Sequence, residues 1–373
     1  MSFLHKHKIR VGVIYGGKSG EHEVSLASAA SVVGELDRDR YEVVPIGIDK
    51  TGRWFLNRLG EVYSPKSHLL KVKEKSSEIL AIPQIETNGE SSCAHLFDVA
   101  FPIMHGPLYE DGSIQGIFEL ANVPYVGAGI LASAIAMDKE LTKRLIKAAN
   151  IPTPDYLSFD KKYWDFNKGL CANSCAEQLG FPVFIKPARL GSSVGINKAN
   201  DRNELSHFIE TAFQYDTKVI IEKAVNAREL EIGVLENTIY GREPLVSVIG
   251  EVCVSSSYEF YSYDAKYHDE GLRLLIPAEL EKEQAHELEE IAKHAFQLLG
   301  CEGFARIDFF LDKNTGKILF NELNTIPGFT QMSMFPKVWM ASGMTYSGIL
   351  SHLIELALQR HQRNTSIKRD WIR

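Results

Sequence analysis

Apolar and polar positions alternate most clearly between Arg306 and Gly328, in RIDFFLDKNTGKILFNELNTIPG. Ile307, Phe309 and Leu311 fall on one face of a strand and Arg306 and Asp308 on the other, because successive strand side chains point to opposite faces. Asp312, Asn314 and Gly316 supply a tight turn. Beyond it Leu319 and Leu323 form the apolar face, with Glu322 and Asn324 opposite. If the two apolar faces join one core, Arg306, Asp308, Glu322 and Asn324 converge on a single polar surface.

The same patterning orders the rest of the chain. IRVGVIY (9–15) predicts an apolar strand ending at Gly16 and Gly17, then a helix from Glu23 to Leu36 and a strand over YEVVPIGI. This is a βαβ unit, in which ligands collect at the carboxyl ends of the strands. Residues 57–95 read as a polar surface insertion. FDVAFPIM is a further strand, feeding a loop with His105, Glu110 and Asp111 and a helix from Ser113. A helix then carries Lys139, Lys143 and Lys147 at four-residue spacing, which predicts a solvated basic stripe, and Pro152 and Pro154 end it. FPVFIKP ends in Lys186 and meets a small-residue loop with Gly191, Ser192, Ser193 and Gly195. Further on come a helix over 203–213, a strand with Glu222 and Lys223 at its exit, and a strand through RELEIGVL. An aromatic loop with Tyr261, Tyr263, Lys266 and Tyr267 has the length of an active-site lid. Helices over 281–299 and 345–360 flank the hairpin. There is no internal repeat.

Composition narrows the class. At 373 residues the chain is too long for one ordinary core and predicts two or three domains. A net charge of −7 argues against a nucleic-acid or anionic-membrane partner, while a nucleotide in a local basic pocket stays compatible. The first residues lack an apolar secretory core, and no run reaches the roughly 18 apolar residues of a spanning helix. Cys93, Cys171, Cys175, Cys253 and Cys301 are scattered, and CANSC has no second pair to complete a zinc site. A cytoplasmic, reduced, soluble protein of enzyme size is expected.

The candidate chemistry follows from residue type. Two carboxylates and an amide oxygen on one hairpin face suit Mg²⁺, which keeps waters and bridges to substrate phosphates. A solvated hairpin face with an Arg–Asp pair is the bland alternative. The Gly-Ser loop beside Lys186 lets backbone amides approach an anion. GGKSGEHEVSL is neither a dinucleotide fingerprint nor a Walker loop; Glu21 and Glu23 there either complement a helix dipole or grip a substrate ammonium.

Taken in order, GGKSGEHEVSL, HGPLYEDGSIQG, MDKELTKRL, KPARLGSSVG, IEKAVNARELE, YDAKY, ARIDFF and NELNTIPGFT resemble the D-alanine–D-alanine ligases of the ATP-grasp superfamily over nearly the whole chain. Two departures stand out: Tyr109 occupies a position where the family has glycine, and Leu190 precedes Gly191 at a variable position. The resemblance implies an α/β and α+β ATP-grasp fold. It has an N-terminal Rossmann-like α/β domain (1–127), a central lid domain (128–226) and a C-terminal mixed-sheet domain (227–373).

It also implies two D-alanines joined through a D-alanyl phosphate at the expense of ATP, for peptidoglycan. On the matching positions, Lys139, Lys186, Glu222, Lys223, Val225 and Glu229 would hold ATP, with Ser192 and Ser193 in the loop closing over its phosphates. Asp308, Glu322 and Asn324 would carry two Mg²⁺, replaceable by Mn²⁺. Arg306 and the Gly328 N–H would serve the oxyanion. Glu21 would bind the first ammonium, with His105 near the same substrate and Lys266 also on the substrate side. Ser192 and Tyr267 would join Glu21 in a hydrogen-bonded set, and Ser333 would meet the second carboxylate. A homodimer is implied by the family alone. The rivals are a D-alanine–D-lactate ligase, against which Tyr267 speaks, another ATP-grasp carboxylate–amine ligase, and a nucleotide-binding regulator without turnover.

Overall fold

The computed structural model describes residues 7–66, 68–74, 77–79, 96–254 and 272–368. Its strands form three sheets. In the first, the apolar β1 (Ile9–Gly16) runs parallel to β2 (Tyr41–Ile48) on one side and β5 (Val99–Pro102) on the other. The antiparallel strands β3 (Trp54–Leu56) and β4 (Ser77–Ile79) extend it to the order β4-β3-β2-β1-β5. Helix α1 (His22–Glu35) makes the crossover and buries Leu26, Ala29, Val32 and Val33. Residues 57–95 contribute more than surface: the short helix α2 (Leu59–Val62) and β4 lie within them, and Val62 and Leu70 are buried. Helix α3 (Ser113–Leu120) covers the other face of the sheet with Ile114 and Phe118.

The second sheet is antiparallel, in the order β6 (Tyr156–Asp160), β9 (Lys218–Lys223), β7 (Val183–Pro187), β8 (Asn197–Ala199). Helices α6 (Lys161–Gln178) and α7 (Arg202–Ala212) pack on it. In α6, Cys171 and Cys175 lie one turn apart on the buried face, where burial pushes the Cys175 thiol up to about 12. They serve as small apolar residues there.

The third sheet takes the order β12-β11-β10-β13-β14 and is antiparallel throughout: β10 (Ala227–Leu235), β11 (Leu245–Val254), β12 (Leu272–Leu275), β13 (Phe304–Asp312) and β14 (Ile318–Asn324). Helices α4 (Ile130–Met137), α5 (Lys139–Ala148) and α8 (Lys282–Leu298) share one core with it. Helix α9 (Met334–Ala341), unread in the sequence, lies on the opposite face. Gly233 and Gly250 permit its approach, since a Cβ at either would strike Trp339 or Met334. Helix α10 (Tyr346–Thr365) then returns to the first sheet, and Leu350 and Leu353 join Val11, Val13 and Phe101 in its core.

Candidate active site

The hairpin of β13 and β14 has the expected convergence. Arg306 faces Asn324 and Asp308 faces Glu322 in direct register. Pairing then steps from Asp308–Glu322 to Phe309–Phe320, leaving Asn321 as the extra residue of a bulge. The bulge corrects one expectation. Ile318, Phe320 and Leu323 are buried in the core, whereas Leu319 is only partly buried and stands on the other face.

Glu231 of β10 lies opposite Asp308 on its other side, so three carboxylates form a row across three strands. Like charges directly opposite repel. Arg306 offsets this with Nε and Nη2 each 2.7 Å from an Asp308 oxygen, and Nε 2.9 Å from Glu231. Asn324 Nδ2 donates to Asp308 at 3.0 Å, and Lys139 Nζ lies 3.5 Å from Glu322. Sequence reading missed Glu231, although it sits two residues from Glu229 and therefore on the same strand face.

This row opens into a cavity of about 480 Å³ between the second and third sheets. Lys139, Lys186, Lys223, Val225, Glu229 and Glu322 line it, as do Ser192 and Ser193. The lysines do not form the solvated stripe expected from their spacing. Lys143 is 1% exposed, and its Nζ lies 3.0 Å from Glu222 Oε1, while Lys186 Nζ donates to Glu222 Oε2 at 2.6 Å. Only Lys147, with a side chain 61% exposed, behaves as a surface residue. The Glu222 carboxylate is thus engaged by two ammonium groups. Burial alone would raise its pKa, but the lysines hold it down at about 2.

The loop after β7 reaches the first sheet. Ser192 and Ser193 take positive φ values of 51° and 56°, an uncommon state for residues with a Cβ, and the Ser192 hydroxyl donates to Glu21 Oε1. Glu21 is the N-cap position of α1 and makes no side-chain cap hydrogen bond there. Glu110 stands beside it, accepting the Gly106 N–H at 2.7 Å. Burial, reinforced by the Glu21 charge, pushes the Glu110 carboxyl up to about 8. Tyr109 fills the space over Gly17 and accepts the Lys18 N–H at 3.0 Å, so this departure from the family pattern is built into the loop that carries Glu21.

His105 is buried, and burial lowers its pKa. Its Nδ1 donates to Ile326 O at 3.0 Å, and its Nε2 lies 3.4 Å from Ser28 Oγ, which accepts the Phe329 N–H at 3.2 Å. These bonds secure the loop that presents Gly328. A Cβ at Gly328 would lie 2.9 Å from Ser333 Oγ, which also accepts the Thr330 N–H at 3.0 Å. Lys266 and Tyr267 lie outside the described residues.

No group of three or more His, Cys, Asp or Glu side chains forms a metal cage among the described residues. Asp308 and Glu322, opposed on adjacent strands at the cavity wall with Asn324 alongside, instead fit a cation that keeps waters and takes phosphate oxygens, as Mg²⁺ does.

Comparison with known proteins gives this arrangement its place. The D-ala D-ala ligase N-terminus model matches residues 10–128 and the D-ala D-ala ligase C-terminus model residues 145–355. The D-alanine–D-alanine ligase A of Bradyrhizobium diazoefficiens is 44% identical over 373 residues, covering 98% of this chain and 99% of that relative. The VanG D-Ala:D-Ser ligase of Enterococcus faecalis superposes with a TM-score of 0.79 at 34% identity, covering 94% of this chain and all of that one. The D-alanine–D-alanine ligase of Bacillus anthracis, solved in complex with ATP, gives 0.71 at 28% identity, covering 95% and 99%. The fold is ATP-grasp, with a nucleotide-sized cavity between two sheets. Within that class, the chain belongs to the D-alanine–D-alanine ligase family.

Proposed function

We propose that the chain joins two D-alanines to D-alanyl-D-alanine, with cleavage of ATP to ADP and phosphate by phosphoryl transfer, for peptidoglycan synthesis. The observation that carries this reading is the lysine-lined cavity whose wall includes Asp308, held by Arg306, and Glu322, with its Ser192 hydrogen-bonded to Glu21.

In this reading ATP is the phosphoryl donor and lies in the cavity. Lys139 and Lys186 meet its phosphates, Ser192 and Ser193 cover them, Lys223 and Val225 border the base, and Glu229 takes the ribose. Glu222 acts through the lysines it holds. Two Mg²⁺ bound by Asp308, Glu322 and Asn324, or Mn²⁺ in their place, would neutralise charge on the transferring phosphoryl group. Glu21 receives the ammonium of the first D-alanine, with His105 securing the loop beside it. The first D-alanine's carboxylate takes the γ-phosphoryl group of ATP as ADP leaves, giving D-alanyl phosphate; the deprotonated amine of the second D-alanine attacks its acyl carbon, and inorganic phosphate leaves. Arg306 and the Gly328 N–H stabilise the oxyanion of that step, and Ser333 meets the second carboxylate. The Ser192–Glu21 contact excludes water, which would otherwise hydrolyse the acyl phosphate. Tyr267 and Lys266 belong to the same substrate side by family resemblance.

The same reading divides the chain at 127/128 and 226/227, one sheet to each unit, although α4 and α5 pack with the third sheet. It places the enzyme in the cytoplasm as a homodimer. No helix among the described residues is long and apolar enough to cross a membrane.

Phosphate release from ATP and Mg²⁺ tests the proposal, with D-alanine, L-alanine, D-lactate or D-serine added and the product weighed by mass spectrometry. D-alanine alone should support release and give the dipeptide mass. Release only when D-serine or D-lactate accompanies D-alanine would assign a different second substrate, as in the D-Ala:D-Ser neighbour. ATP binding without release under any condition would favour a regulator.

A further inference from the structure

Lys143 follows Lys139 by one turn of α5, yet the two lysines have different surroundings. Lys139 borders the cavity; Lys143 does not reach it, because the Glu222 carboxylate takes its Nζ at 3.0 Å. The opposite Glu222 oxygen holds Lys186 Nζ at 2.6 Å, and both Glu222 and Lys186 border the cavity. The three charges therefore form a line running from the interior to the cavity: Lys143, Glu222, Lys186. All three side chains are at most 11% exposed.

A buried carboxylate that loses its only cation is strongly disfavoured. Were Lys186 the sole partner of Glu222, any movement of its ammonium toward an anion in the cavity would strand that carboxylate. Lys143 removes the conflict. It leaves the trio with one surplus positive charge, which an anion in the cavity can take. We propose that Lys143 is a positioning residue that keeps Glu222 paired, so that Lys186 can turn to the phosphates of a bound nucleotide. The proposal rests on the ATP reading above. It gives Lys143 a part in nucleotide affinity without contact with the nucleotide.

The test compares ATP binding and steady-state kinetics of the wild-type enzyme with Lys143→Met and with Lys143→Arg, which keeps a cation beside Glu222. In Lys143→Met, Glu222 keeps Lys186 for itself, and KM for ATP should rise about tenfold or more while KM for D-alanine stays within about threefold, alongside reduced thermal stability. In Lys143→Arg, KM for ATP should return to within about threefold of wild type. A residue that only filled the interior would show no such split between the two substrates. The proposal is overturned by a folded Lys143→Met enzyme with wild-type KM for ATP, or by a folded Lys143→Arg enzyme as weak as Lys143→Met. If Lys143→Met does not fold, Lys143→Gln is read in its place against the same limits. Failure of the wild-type enzyme to bind ATP would reject the nucleotide reading itself. Tight wild-type binding without the variant pattern would reject only the role of Lys143.

Discussion

Ser192 donates its hydroxyl hydrogen to Glu21, joining the loop after β7 to the start of α1 across 171 residues of sequence. The bond is charge-assisted and couples a loop that borders the cavity to the residue that we propose receives an amino-acid ammonium. Hydrogen bonds to charged groups contribute about 1.5–3 kcal/mol. Ser192→Ala should therefore lower kcat/KM for D-alanine about ten- to a hundredfold. Phosphate release titrated with D-alanine measures this, and an unchanged kcat/KM would remove the tether from the mechanism.

Asp308→Asn keeps the volume of the side chain and removes one of the opposed charges. Charge stabilisation by a bound metal amounts to several kcal/mol, so turnover should fall by about two orders of magnitude or more, with a higher Mg²⁺ requirement. The circular-dichroism spectrum should stay that of the wild type. Wild-type turnover by this variant would take Asp308 out of the metal site.

Tyr109→Phe and Tyr109→Gly separate two contributions of one side chain. The first removes only the acceptor of the Lys18 N–H and should cost about 1 kcal/mol of stability. The second also empties the space over Gly17 and should cost about 3–5 kcal/mol, as large-to-small changes of aromatic residues do. Urea unfolding of both variants reads the difference. Equal losses would show that the ring packing contributes nothing.

Glu110 gives the enzyme a pH dependence of defined sign. Its carboxyl ordinarily titrates near 4.5, and burial with the Glu21 charge raises it to about 8. The folded chain thus holds this proton more tightly than the unfolded chain. The associated stability is complete below about 4.5 and is lost as pH rises through about 8. Glu110→Gln abolishes that loss. The Tm of the variant minus that of the wild type should increase between about pH 5 and pH 9. A difference that stays flat would contradict the raised pKa.

How legible these features were depended on the range of the interactions. Arg306, Asp308, Glu322 and Asn324 could be placed together because a hairpin has period two and a short turn sets its register. The bulge at Asn321 has no such local signature, and Leu319 was therefore assigned to the wrong face. Four-residue spacing placed Lys139 and Lys143 on one helix face but said nothing of what that face meets; the partner of Lys143 is a carboxylate on β9. Helix α9 escaped notice because it is only eight residues long and has Pro336 in its first turn, where proline is tolerated. The loop holding Lys266 and Tyr267 lies outside the described residues, so the sequence alone speaks for them.

The core shared by β1, β5 and α10 has a consequence for biosynthesis. Val11, Val13 and Phe101 leave the ribosome well before Phe329, Phe335, Leu350 and Leu353, which cover them. At about 5–20 residues per second, that face of the nascent sheet stays open to solvent for on the order of ten seconds or more. During that interval its apolar side chains are available to chaperones and to other nascent chains. A stop codon placed before Tyr346 would leave the lysines, carboxylates and loops of the active site encoded, yet prevent the first sheet from completing its core.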